Sequence, residues 1–153
     1  MTQLLHNGQL LIIPLLVVII TQFVKVAMDA YRRPAKKFKL KYFMHYGGMP
    51  SSHAALFISL VVLSWLKFGW TSFEFVLATV LYLTVVRDAV GIRWHLGEHG
   101  KILKQLIEEE HKAHDAHIQH PKIITRLGHT PLEALMGTLC GIGLTLLLYW
   151  LIN

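Results

Sequence analysis

The sequence predicts an all-α fold: a polytopic membrane protein whose four transmembrane helices form a bundle, with an amphipathic helix in the connection between the third and fourth. Three observations carry this expectation. The 153 residues are 54% hydrophobic. The apolar residues are gathered into runs of membrane length rather than spread at helical spacing, and the basic residues are concentrated in two of the connections. A helix rises about 1.5 Å per residue and the hydrocarbon core is about 30 Å thick, so about twenty apolar residues cross it. At this length the chain is expected to be a single integral-membrane domain, 1–153.

The first span, about 10–28, is aliphatic from Leu10 until Thr21, Gln22 and Lys25 interrupt it. Met1–Gln9 contains no lysine or arginine, so the run lacks the basic flank of a secretory signal and reads as a retained span. The second, about 54–70, carries one charge, Lys67, near enough to its end for the side chain to reach the interface. The third, about 73–92, is apolar to Val86 and then holds Arg87 and Asp88. The fourth, about 132–152, is apolar after Glu133 and contains Gly137 and Gly141, a small-xxx-small pair that permits close helix packing. Such packing would also allow a homodimer that completes a larger site, though nothing in the sequence requires one.

Of 15 lysines and arginines, seven lie between Lys25 and Lys41 and six between Arg93 and Arg126. By the positive-inside bias, the 1–2 and 3–4 connections face the cytoplasm and both termini lie outside, which fits an inner-membrane protein. A net charge of +6 placed beside a bilayer points to anionic lipid head groups as partners rather than to nucleic acid. Cys140 is the only cysteine and sits inside the fourth span, so no intrachain disulfide forms. In the 3–4 connection, the part from Lys101 to His117 places Ile102, Leu103, Leu106 and Ile107 on one stripe, the pattern of a surface helix.

Two helix starts hold more than capping requires. GGMPSSHAA, 47–55, opens the second span: Pro50 breaks, and Ser51 or Ser52 caps. Capping does not explain His53. The first turn of a helix offers free N–H groups and the positive end of the macrodipole, and glycines let a ligand approach the backbone, so a phosphate is a natural guest here. LGHTPLEAL, 127–135, opens the fourth span with Thr130 as cap, Pro131 at the first helical position and Glu133 closing a capping box. His129 is the residue left over. Glu133 stands four residues after it and is equally placed to hold an imidazole nitrogen, so its two uses compete. The second and fourth helices run in the same direction, which sets His53 and His129 at one interface, level with Lys25, Arg87, Asp88 and Arg93. Ionisable groups at membrane depth point to a functional site.

The ordered set GGMPSSH, DAVGIR (Asp88–Arg93) and GHTPLE (Gly128–Glu133) resembles the divergent family of small membrane proteins related to type 2 phosphatidic acid phosphatases. Acid phosphatases and vanadium-dependent haloperoxidases belong to the wider superfamily. The resemblance implies in-line phosphoryl transfer in two steps, without metal or cofactor. His129 would be the nucleophile, matching a His-x-x-x-Asp pattern with Glu133 in the aspartate's place. His53 would be the general acid, matching a Pro-Ser-Gly-His pattern with Ser52 in the glycine's place. Lys25, Arg33, Ser51, Ser52, Asp88, Arg93 and Arg126 would make up the phosphate-binding set. The implied substrate is a phosphomonoester or diphosphate of an isoprenoid or glycerolipid. The sequence departs from the superfamily in three further places: one extra residue lies between Lys25 and the Arg33-Pro34 pair, Ile123 stands where an arginine is expected, and four spans replace a six-helix core. An alternative is therefore a non-catalytic membrane protein that binds phosphorylated lipid or a partner at the same anion site.

His111, His114, His117 and His120 recur every third residue, and His95 and His99 form an i, i+4 pair. Such spacing suits zinc or nickel. A period of three drifts about 60° per step on a helix, so four such ligands do not converge on one ion. The tract is expected to be a histidine-rich solvated face that gains positive charge below about pH 6.5.

Overall fold

The computed structural model describes residues 2–32, 48–114, 123, 125 and 127–152, and among these there is no strand. The elements are α1 (Thr2–Arg32), α2 (Ser52–Phe68), α3 (Phe73–Val90), α4 (Ile92–His114) and α5 (Pro131–Ile152). This is a helical membrane protein. The stretches Gly8–Tyr31, Phe73–Glu110 and Pro131–Ile152 are long and apolar enough to cross a bilayer. At 17 residues, or about 26 Å, α2 sits at the lower limit for a span. It is also the innermost helix, burying Ala54, Ala55, Ile58, Ser59, Val62, Leu63 and Ser64.

The helix boundaries follow local chemistry. Ser51 has extended backbone (φ −74°, ψ 111°), and its Oγ accepts the N–H of Ala54 at 3.4 Å to begin α2. Gly69, at φ +88°, closes α2 by donating its N–H to the carbonyl of Trp65 at 3.0 Å. Ser72 then caps α3, its Oγ accepting from the N–H of Phe75 at 3.2 Å. Gly91 separates α3 from α4 by a single residue.

The amphipathic helix is consequently longer at its start than the stripe at 101–107 suggested, beginning at Ile92 rather than Lys101. Ile92 and Leu96 extend the apolar positions backwards, and both are exposed along with Ile102, Leu103 and Leu106. The expected end at His117 lies outside the described residues.

Around α2 pack α1, α3 and α5. By contrast, α3 touches α5 only lightly, and among the described helices α4 packs on α3 alone. Ile13, Val17, Ala55 and Leu63 form the core. Gly137 and Gly141 set the closeness of α5 to α2. A Cβ on Gly141 would lie 2.5 Å from Ile58 Cγ2, and one on Gly137 would collide with the Ser51 carbonyl. Both glycines are therefore taken up within the chain, not left for a second copy. Large apolar side chains such as Leu11, Phe23, Val80 and Leu147 point outward, where acyl chains solvate them. Two buried hydroxyls in the spans bond back along their own helix, Thr21 to Val17 O and Thr145 to Gly141 O, both at 2.6 Å.

Trp65, Trp70 and Trp150 lie exposed at the end where α2 and α5 finish, a placement suited to the aromatic belt of an interface. The opposite end gathers the C-terminal turns of α1 and α3 and the N-terminal turns of α2 and α5.

Candidate active site

At that opposite end, Ser51 joins two helix starts. Its side chain caps α2, and its backbone N–H donates to the Glu133 carbonyl in the first turn of α5 at 3.1 Å. Only a residue without Cβ at 137 leaves room for this approach, since an added carbon would also lie 2.9 Å from Ser51 Cβ. Ser51 is 1% exposed, so the tie is shielded from competing solvent.

His129 is positioned by a second tie. Its backbone N–H donates to the carbonyl of Ala89, near the end of α3, at 2.9 Å. The preceding Gly128 adopts φ +77°, a region costly for residues with a Cβ, and an added Cβ would lie 2.6 Å from Trp94 N and 2.7 Å from Ala89 O. His129 is 9% exposed.

Glu133 serves both roles that the sequence set in competition. The Glu133 N–H donates to Thr130 Oγ1 at 3.2 Å, and the Thr130 N–H donates to Glu133 Oε2 at 3.1 Å, completing a capping box. The same Oε2 lies 3.3 Å from His129 Nδ1. A carboxylate only accepts, so the imidazole carries its proton on Nδ1 and leaves the Nε2 lone pair available. Burial pushes the His129 pKa below its ordinary value, Glu133 pulls it partly back, and the charges of Lys25 and His53 push it down again. The net direction is down, so the ring is neutral at pH 7.

Lys25 and His53 complete the cluster. Lys25 is 4% exposed, and the backbone of Gly48 (φ +106°) lies over its stem, where an added Cβ would come 3.0 Å from Lys25 Cε. Its charge acts on both His53 and His129. His53 is exposed on the first turn of α2 and also feels Arg93. Arg93 in turn forms an exposed ion pair with Asp88. This pairing gives Asp88 the task of holding Arg93, because a carboxylate has no donor to offer a phosphate. Ser52, half-buried, opens α2 beside Ser51. Arg33 and Arg126 lie outside the described residues. His95 packs edge-on to Trp94 at 5.0 Å, and the described residues contain no group of three or more His, Cys, Asp or Glu able to hold a metal. Most of the His111–His120 tract lies outside the described residues.

The description "Divergent PAP2 family" matches residues 6–144, which include every element of the cluster. The chain belongs to the Divergent PAP2 family. Among curated proteins, the chain is similar to the uncharacterized membrane protein YuiD of Bacillus subtilis (strain 168), at 32% identity over 111 residues. The alignment covers 67% of this chain and 70% of that relative. No solved structure matches the chain. In this member of the family, sequence reasoning found the side chains of the cluster but not its backbone supports, the carbonyl of Ala89 and the turn at Gly128. The glycine beside His129 was the available signal.

Proposed function

We propose that the protein is a lipid-phosphate phosphatase that works through a phosphohistidine. The observation that carries this reading is the oriented His129, its Nδ1 on Glu133 and its backbone fixed to Ala89. In the first step, His129 Nε2 attacks phosphorus, forming the N–P bond as the P–O bond to the lipid breaks. His53 gives its proton to the departing oxygen, and the lipid alcohol leaves. In the second step, His53 takes a proton from water, whose oxygen attacks phosphorus. The N–P bond breaks, inorganic phosphate leaves, and both histidines return to their starting state. Lys25, Arg93 and the free N–H groups at the start of α2 stabilise charge on the equatorial oxygens.

Charge distribution supports a cytoplasmic site with both termini outside. The position of the site at the end of a membrane bundle favours an amphiphilic phosphomonoester or diphosphate as substrate. A second reading, a non-catalytic binder of phosphorylated lipid, draws on one observation: Ile123 stands where the superfamily's phosphate-binding arginine is expected.

The test is phosphate release by detergent-purified protein from isoprenoid and glycerolipid phosphates, beside His53→Ala and His129→Ala. Release that disappears in both variants is expected. Equal background from all three folded proteins would leave only the binding reading.

A further inference from the structure

A groove of about 680 Å³ runs between the last turns of α3 and the first turns of α5, where these two helices part. Its volume falls in the range of sites that bind small molecules. The groove runs along α3 from Tyr82 to Gly91, a rise of about 14 Å, less than half the thickness of the hydrocarbon core. Leu83, Val86, Val90, Ala134 and Leu135 give it apolar walls. Leu83 and Leu135 are exposed, so the groove opens to the lipid side of the bundle.

The two ends of the groove differ. At its deep end, Tyr82 and Thr138 join hydroxyl to hydroxyl at 2.8 Å. Thr138 spends its own proton on the Ala134 carbonyl at 2.9 Å, so the tyrosine is the donor and the floor is polar but satisfied. At its interfacial end stands Arg87, which makes no ion pair among the described residues. The walls also carry the supports of the candidate active site. Val90 follows Ala89, which accepts the His129 N–H, and Ala134 follows Glu133, which holds the ring.

We infer that this groove binds the head-group end of one hydrocarbon chain of a membrane lipid phosphate, with Arg87 drawing the phosphate to that end. The assignment rests on the proposed reading of the site as one for phosphorylated lipid. An apolar trough open to lipid takes an acyl or isoprenyl chain. A guanidinium at its rim, without an ion pair among the described residues, favours an anionic head group over a zwitterionic one. Binding the chain beside the site would hold the phosphorus near His129 and restrict its approach.

The experiment uses the full-length protein in nanodiscs with phosphatidic acid carrying a photoreactive group in one acyl chain. The comparison probe is phosphatidylcholine with the same chains. The phosphatidic acid probe should label residues 82–91 and 131–138 at least about tenfold more than the phosphatidylcholine probe does, the discrimination expected of a charge-assisted contact. Ala134→Trp and Leu83→Trp, two independent fillings of the groove, should each remove the labelling. Arg87→Gln should retain chain labelling but lose the preference between head groups. Equal labelling by both probes, or labelling spread evenly over the lipid-facing helices, would overturn the assignment. His129→Ala separates the two readings. If it leaves phosphate release unchanged while groove labelling remains selective for phosphatidic acid, catalysis falls and the groove stands. If release depends on His129 but labelling is not selective, the groove alone falls.

Discussion

One oxygen of Glu133, Oε2, faces both His129 Nδ1 at 3.3 Å and the Thr130 N–H at 3.1 Å, so the cap of α5 and the orientation of the histidine share a single atom. Glu133→Gln keeps the shape but removes the charge that raises the His129 pKa. The acid limb of the pH–rate profile should therefore move to lower pH, while the rate at pH 7 falls by at least about tenfold as the tautomer loosens. An acid limb that does not move would show that Glu133 is a cap only.

The lowered His129 pKa has a thermodynamic counterpart. The unfolded chain, with an ordinary histidine near 6.5, binds more protons than the folded one as pH falls below that value. Stability should then decline on acidification from about pH 6.5 until the folded pKa is passed. His129→Gln should flatten that part of the curve, as read from thermal midpoints in detergent across pH.

Lys25 is almost wholly enclosed and acts electrostatically on both histidines. Lys25→Met keeps most of the stem and deletes the charge. Inhibition by inorganic phosphate should weaken by roughly 10- to 100-fold, in keeping with the loss of a hydrogen bond to a charged group. An unchanged inhibition constant would remove Lys25 from the phosphate-binding set.

Gly137 and Gly143 offer a matched pair on one helix. A methyl group at 137 meets Ser51, whereas at 143 it meets nothing within 4 Å. Gly137→Ala should cost about 1–3 kcal/mol of stability, and Gly143→Ala should stay within about 0.5 kcal/mol. Thermal or denaturant unfolding in the same detergent compares them directly. Equal effects would contradict the close α2–α5 approach.

Much of this architecture was legible in the sequence because span length and charge placement are properties of the chain itself. The start of α5 at Thr130 was legible, and that of α2 was narrowed to Ser51 or Ser52, of which Ser51 is the cap, since a cap acts on the next three residues. Contacts between backbones far apart in sequence leave little trace. Nothing in Ala89 announces that its carbonyl holds His129. Gly137 and Gly141 indicated close packing but not the partner, and that partner is α2 of the same chain. The choice posed for Glu133 proved too narrow because one carboxylate oxygen accepts from two donors. The third span, read through to about residue 92, in fact ends at Val90, and α4 starts at Ile92 because Gly91 turns the chain for one residue only.

The shortness of α2 also bears on how a reactant is supplied. A 17-residue helix is barely long enough to cross the hydrocarbon layer, so its first turn, with His53, would sit close to that layer's margin. An amphiphile would arrive by lateral diffusion, without first dissolving in water. The concentration that governs turnover would then be two-dimensional: the mole fraction of substrate among all lipids present. Diluting the protein and its membrane together in buffer would leave the rate per molecule unchanged, while diluting the substrate with inert lipid would lower it.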